Sequence, residues 1–380
     1  MNKKLFIFLL ISLSLALYIG ISLRKPAEAT LPSASLVANL SEGGDFTRAE
    51  GPRDWDFPAD MGAHPDYQTE WWYYTGNLES ADGQHFGYQL TFFRRALVSA
   101  EERTERDSAW GTEQIYLAHF AISDVEVEQH QAFERFARGS AGLAGVESAP
   151  YSVWLEDWQV EEIGEGQYRL VAQQGDFALD LILNDTKGII LQGDEGYSQK
   201  GEAPGNASYY YSQTRMETSG TVRTERGLFD VNGLSWKDHE FSTSALSEGQ
   251  VGWDWFSIQL DDGSELMFFQ IRRADGSIDP FSSGTYIDSN GGTTHLERNQ
   301  FEIRVRDEWI SPESGGVYPS AWEVSIPSLD LNLDIEPYFN DQEMNVSYFY
   351  WEGAVRVSGS LTGSGYVEMT GYAGSMEGEF

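Results

Sequence analysis

One ordered cluster of residues occurs twice in this 380-residue chain and limits what the chain can fold into. The first copy runs Trp71-Trp72-Tyr73-Tyr74-Thr75-Gly76-Asn77-Leu78, then Asp82-Gly83, then Tyr88-Gln89-Leu90-Thr91-Phe92-Phe93-Arg94-Arg95. The second starts 182 residues later as Trp253-Asp254-Trp255-Phe256-Ser257-Ile258-Gln259-Leu260, then Asp262-Gly263, then Leu266-Met267-Phe268-Phe269-Gln270-Ile271-Arg272-Arg273. Each copy reads as a β-hairpin, because two strand-favouring runs flank an Asp-Gly pair whose glycine accepts the positive φ of a tight turn. The spacing is too long for a solenoid repeat or propeller blade and suits a duplicated domain.

Alternation elsewhere extends the same reading. Leu329, Leu331, Leu333 and Ile335 interleave with Asp330, Asn332, Asp334 and Glu336, and Phe301, Ile303 and Val305 interleave with Glu302, Arg304 and Arg306. A period of two with one apolar face is a half-buried strand. Only the Ala-, Phe- and Glu-bearing stretch 129–139 could form a short helix. The expected fold class is all-β, with two antiparallel barrel domains in tandem. Residues 30–62 lead into a first domain over 63–232, joined near Gly220–Gly233 to a second over 233–380.

Composition removes several function classes. Asp and Glu number 60 against 25 Lys and Arg, a net charge of −35, so a basic footprint for nucleic acid or anionic lipid is absent. The chain has no Cys, which removes disulfides, thiolate nucleophiles and Cys-based zinc sites together. Two lysines within Met1–Lys4 precede an apolar run from Leu5 to Leu23, and Ala27-Glu28-Ala29 forms a small-x-small site before Thr30. This is the pattern of a secretory signal peptide over 1–29, although the run is nearly long enough to stay as an N-terminal membrane anchor. Either way an extracytoplasmic location, periplasmic or secreted, is expected.

Three stretches carry chemistry-bearing residues. In Glu70-Trp71-Trp72-Tyr73-Tyr74, four adjacent aromatics bury both faces of a strand, as a cavity wall or as a central strand whose carboxylate satisfies nearby donors. In Trp236-Lys237-Asp238-His239-Glu240-Phe241, alternation puts Asp238 and Glu240 on one face and Lys237, His239 and Phe241 on the other. Asp238 or His239 could exchange protons there, and either could equally be structural. In Trp253-Asp254-Trp255, Asp254 is a tuned acid or simply an indole acceptor. No nucleophile elbow, P-loop, dinucleotide fingerprint or zinc-helix motif occurs, and no two of the six His stand at metal-ligand spacing. No metal and no cofactor are expected.

These stretches, with His64-Pro65-Asp66, Gly87-Tyr88, Tyr350-Trp351-Glu352-Gly353 and Gly371-Tyr372, resemble the carotenoid 1,2-hydratase / AttH family from about residue 60 to 373. The resemblance implies two lipocalin-like domains. It implies either water addition across an isoprenoid double bond, cycloaddition of a polyene, or a secreted component working with an ABC transporter. It places the hydratases' Asp-His pair on Asp238 and His239, with Phe241 where those enzymes carry Trp. The expected function is thus a secreted binder of a lipid, isoprenoid or polyene. The alternatives are a cofactor-independent hydratase with Asp238, His239 and Asp254 as catalytic residues, or an unrecognised hydrolase. The expected ligand-binding residues are Glu70, Trp71, Trp72, Tyr73, Tyr74, Trp236, Phe241, Trp253 and Trp255.

Overall fold

A computed structural model describes residues 45–103, 108–243 and 246–376, so the expected signal segment 1–29 lies outside the described residues. Antiparallel strands dominate, and helical structure among the described residues is confined to single 3₁₀ turns. The first sheet is built from β1 (Thr69–Ser80), β2 (His85–Ala96), β3 (Gln114–Asp124), β4 (Gln129–Arg138), β5 (Ala144–Ser148), β6 (Tyr151–Leu155), β7 (Trp158–Gly164), β8 (Gln167–Gln174), β9 (Phe177–Asp185), β10 (Ile189–Leu191), β11 (Tyr197–Gln199), β12 (Ala207–Thr224) and β13 (Gly227–Ser242). The second comprises β14 (Gln250–Leu260), β15 (Glu265–Arg273), β16 (Ser283–Ile287), β17 (Thr293–Glu297), β18 (Glu302–Ile310), β19 (Val317–Ile326), β20 (Leu331–Pro337), β21 (Glu343–Asn345), β22 (Phe349–Gly359) and β23 (Gly363–Met369).

Both sheets curl by one scheme. In the first, the order β4-β3-β2-β1-β13-β12-β9-β8-β7-β6-β5 places the first strand beside the last. In the second, β17-β16-β15-β14-β23-β22-β20-β19-β18 does the same with β14 and β23. The repeated hairpins occupy matching places: Glu70 pairs with Arg94 and Trp71 with Phe93, while Gly252 pairs with Arg272 and Trp253 with Ile271. The duplicated order of residues is therefore a duplicated position in each sheet.

Two expectations change. Residues 227–242 belong to the first sheet, where β13 pairs with both β1 and β12, so the sheets divide within 243–249. The Gly220–Gly233 region, read as the join at 232/233, is instead the β12–β13 hairpin. Gly220 and Gly233 lie against the neighbouring backbone: a Cβ on Gly233 would stand 2.0 Å from the Asn77 carbonyl oxygen. Residues 129–138 form an edge strand laddered to β3 from Gln129–Asp124 to Arg138–Ile115, with Phe133 packed on Phe120. An available sheet edge outweighs helix propensity there.

Each curled sheet is filled. Trp72, Tyr74, Leu90, Phe92 and Phe120 pack inside the first, and Phe256, Phe268, Trp322, Trp351 and Val355 inside the second. The described part of the expected leader, 45–62, is a structural plug. Met61 enters the first core, Trp72 donates its indole hydrogen to the Met61 carbonyl at 3.1 Å, and Trp55 stacks on Phe57.

Candidate functional site between the two sheets

With both interiors packed, an apolar cavity lies between the outer faces of the sheets. It has a volume of about 110 Å³. Strand alternation builds it: Trp72 and Tyr74 of β1 point into the first core, so Trp71 and Tyr73 point out of it and line the cavity. From the other side, Trp253 and Trp255 of β14 line it, and Tyr73 meets Trp255 edge-to-face at 5.1 Å. The two copies of the repeated cluster are thus its facing walls.

Carboxyl groups interrupt these aromatic walls. Asp238 and Glu240 enter from β13, Glu352 from β22 and Glu368 from β23. Asp238 accepts hydrogen bonds from Ser212 Oγ at 2.5 Å, Trp236 Nε1 at 2.7 Å and Tyr210 Oη at 2.8 Å. Tyr210 in turn receives the Trp255 indole hydrogen at 3.1 Å, which ties the two sheets at this carboxyl. Burial pushes Asp238 up to about 7, with these three donors pulling against it. Glu240 accepts from Ser208 and lies 3.3 Å from Lys200 Nζ, whose ammonium sits 3.8 Å over the Phe269 ring.

Glu352 and Glu368 are directly opposed on adjacent strands. Glu368 accepts the Trp253 indole hydrogen at 2.8 Å, and burial raises it to about 7. Glu352 is buried, and neither of its oxygens has a partner in hydrogen-bonding geometry among the described residues. Burial and the neighbouring Glu368 charge push it well above the carboxylate range, while the phenols of Tyr73 and Tyr350 pull weakly the other way.

The opposite face of β13 builds a different assembly. His239 Nε2 lies 2.8 Å from Glu70 Oε1 and Nδ1 lies 3.1 Å from Tyr211 Oη, and its ring stacks on Trp72. Glu70 also bonds Arg94 Nε at 2.7 Å and His64 Nδ1 at 2.8 Å. Burial holds His239 down at about 4, so it is neutral at pH 7. Glu70 is held below the ordinary carboxylate range: burial opposes this, but the Arg94 charge and the two His partners prevail. The donor atoms of His64, Glu70 and His239 lie within 4.8 Å of one another, a grouping that chain positions so far apart could not announce. They are already spent on each other and on Arg94, and a cation there would have to displace that guanidinium.

The expected site residues are therefore split. Trp71, Tyr73, Trp253, Trp255 and Asp238 line the cavity, and Trp236 backs it by holding Asp238. Glu70, Trp72, Tyr74, His239 and Phe241 face the first core or its plug, where Phe241 stacks on His64 at 3.6 Å. Asp254 points away from the cavity onto Arg272 at 3.1 Å and Tyr372 at 3.2 Å, not onto an indole. Glu368 went unseen and Glu352 was only part of a string. The signal was present: a Glu within an apolar alternating run at Tyr350–Val355, and another at Tyr366–Met369.

Two curled antiparallel sheets in tandem, enclosing an acidic, aromatic-walled cavity between them, define the class of protein. The AttH-like family model matches residues 48–372, and the chain belongs to that family. An AttH protein from Nitrosomonas europaea is 35% identical, with a TM-score of 0.77 over 86% of this chain and 100% of that one. Kievitone hydratase from Nectria haematococca shares the fold at 14% identity, with a TM-score of 0.61 over 87% of this chain and 99% of the enzyme. CghA, solved with Sch210972, has a TM-score of 0.50 at 10% identity, covering 84% of this chain and 94% of that one. Among curated proteins, none matches by sequence.

Proposed function

We propose that the protein binds an apolar small molecule, of isoprenoid or polyene type, between its sheets and adds water to, or removes it from, that molecule. One observation carries this reading: Asp238, a buried carboxyl raised to about 7, projects between Trp71, Tyr73, Trp253 and Trp255. A carboxyl near neutrality suits proton exchange with water, and aromatic faces stabilise positive charge on a hydrocarbon. Asp238 takes the proton of the attacking water, because three fixed donors stabilise its ionised form. The fold shared with a hydratase supports the reaction class by analogy. Export by the N-terminal segment, and delivery of ligand to or from an ABC transporter, belong to the same proposal.

A second reading, carriage without chemistry, is favoured by His239 and Asp254, both of which are fully engaged away from the cavity. Incubation with acyclic isoprenoid alkenes in heavy-oxygen water, followed by mass spectrometry, separates the two. Labelled alcohol from the wild type and none from Asp238→Asn supports hydration. Unlabelled alkene bound equally by both proteins supports carriage.

A further inference from the structure

Asp238 can accept a proton, but hydration also needs a donor. Glu352 is the cavity carboxyl with no hydrogen bond of good geometry among the described residues, although the phenols of Tyr73 and Tyr350 stand beside it. It is 1% exposed, and both carboxyl oxygens lack a hydrogen-bonding partner among the described residues. Leaving an ionised carboxylate so placed would cost several kcal/mol, on the order of a buried unpaired charge. The acids around it disfavour a second negative charge: Glu368 across the ladder on β23, and Asp238 and Glu240 on β13. Tyr73 of β1, Tyr350 of β22 and Tyr366 of β23 are its phenolic neighbours. Lys200, the one cation lining the cavity among the described residues, is engaged with Glu240.

We propose that Glu352 is the proton donor of this cavity and stays behind as the counter-ion of the positive charge that its proton creates on the ligand. This rests on the hydration reading. The Glu352 hydroxyl gives its proton to one carbon of the ligand's double bond, and the π pair becomes the new C–H bond. The other carbon is left electron-deficient beside the Glu352 carboxylate and the faces of Tyr73 and Trp255. A water lone pair forms the C–O bond, and the water's proton passes to the Asp238 carboxylate. The first sheet thus supplies the base and the second the acid. When the alcohol leaves, Asp238 releases its proton to solvent and Glu352 regains one from solvent through the adjacent phenol of Tyr350, whose hydroxyl lies 2.7 Å from His119 Nδ1, with His119 Nε2 3.2 Å from the partly exposed Glu134. His119 and Tyr350 are positioning residues in this scheme.

Benzyltrimethylammonium carries a fixed positive charge beside an aromatic skeleton, and neopentylbenzene is its neutral isostere. Calorimetric titration of both into the whole protein tests the proposal without knowledge of the natural ligand. The cation should bind roughly tenfold more tightly than the isostere near about pH 8 and lose that preference near about pH 5, where the carboxyl keeps its proton. Glu352→Gln should remove the preference and keep the isostere's affinity, and cation binding by the wild type should release a proton into the buffer. His119→Gln should leave the preference intact but slow its appearance after a pH jump. Equal affinity for the two probes in the wild type, or a preference that survives in Glu352→Gln, overturns the assignment while leaving the cavity reading standing. If neither probe binds, the cavity reading itself fails and the assignment falls with it.

Discussion

Strand β13 has two faces that differ sharply in what they do with charge. Toward the first core, His239 and Glu70 are tied into a closed network with His64, Arg94 and Tyr211, and the groups are neutral or matched. Toward the other sheet, Asp238 and Glu240 meet Glu352 and Glu368 in an acidic cavity where one lysine offsets four carboxyls. The same six-residue motif, Trp236–Phe241, therefore supplies part of a structural anchor on one side and titratable groups on the other. A chemistry-bearing motif in a central strand is thus two motifs of period two. Burial disfavours charge on both faces: toward the core the Arg94 charge and two His partners override it at Glu70, whereas in the cavity burial prevails and raises Asp238 and Glu368 to about 7.

The sharpest way to break the comparison is to remove the anchor. Glu70→Ala leaves Arg94 buried without its carboxylate and should cost about 3–5 kcal/mol in urea unfolding. A loss below about 1 kcal/mol would show that the network is not the anchor described. His239→Ala should cost about 2–3 kcal/mol, by losing the Trp72 stack and one Glu70 partner, while the folded fraction still binds neopentylbenzene normally. Loss of binding there would join the two faces functionally.

Asp238→Asn should act in the opposite sense. A carboxyl raised on folding from its ordinary value to about 7 binds more protons folded than unfolded, so its contribution to stability is full below about pH 4 and is lost as pH rises through 7. The substitution should therefore raise stability by about 1–2 kcal/mol at about pH 8 and have little effect at about pH 4, while abolishing hydration. Thermal unfolding at the two pH values reads this directly.

Lys237 gives a smaller test on the core face. Its Nζ has no hydrogen-bonding partner among the described residues and lies 4.3 Å from the Tyr151 ring, with burial lowering it to about 7. A lysine lowered on folding binds fewer protons folded than unfolded between about 7 and 10.4, so stability rises with pH across that window. Lys237→Met should flatten the rise and gain about 1 kcal/mol near neutrality, with the cavity's preference for the cation unchanged.

Much of this architecture was legible in the residues. Alternation and Asp-Gly turns indicated β-hairpins, and the aromatic cluster beginning at Trp71 returned at Trp253 because the two strands hold equivalent positions. Alternation also separated Asp238 from His239 correctly. It could not say which face meets a core and which a cavity, because both faces of this central strand are buried and both carry polar groups among aromatics. The partners of His239 were hidden for the same reason: Glu70 is adjacent only through the β1–β13 ladder, where it stands opposite Phe241, two positions from His239 and on the same face of the strand.

Period, turns, duplication and family could all be read from the chain's residues, since these depend on local backbone preference and side-chain order. Only the tertiary structure decided that the curled sheets are solid, that the ligand space lies between them, and that Glu352 and Glu368 join Asp238 there. Those facts depend on the pairing of strands distant in the chain and on the packing of two outer faces. Nothing in a strand's own residues fixes which surface it will meet.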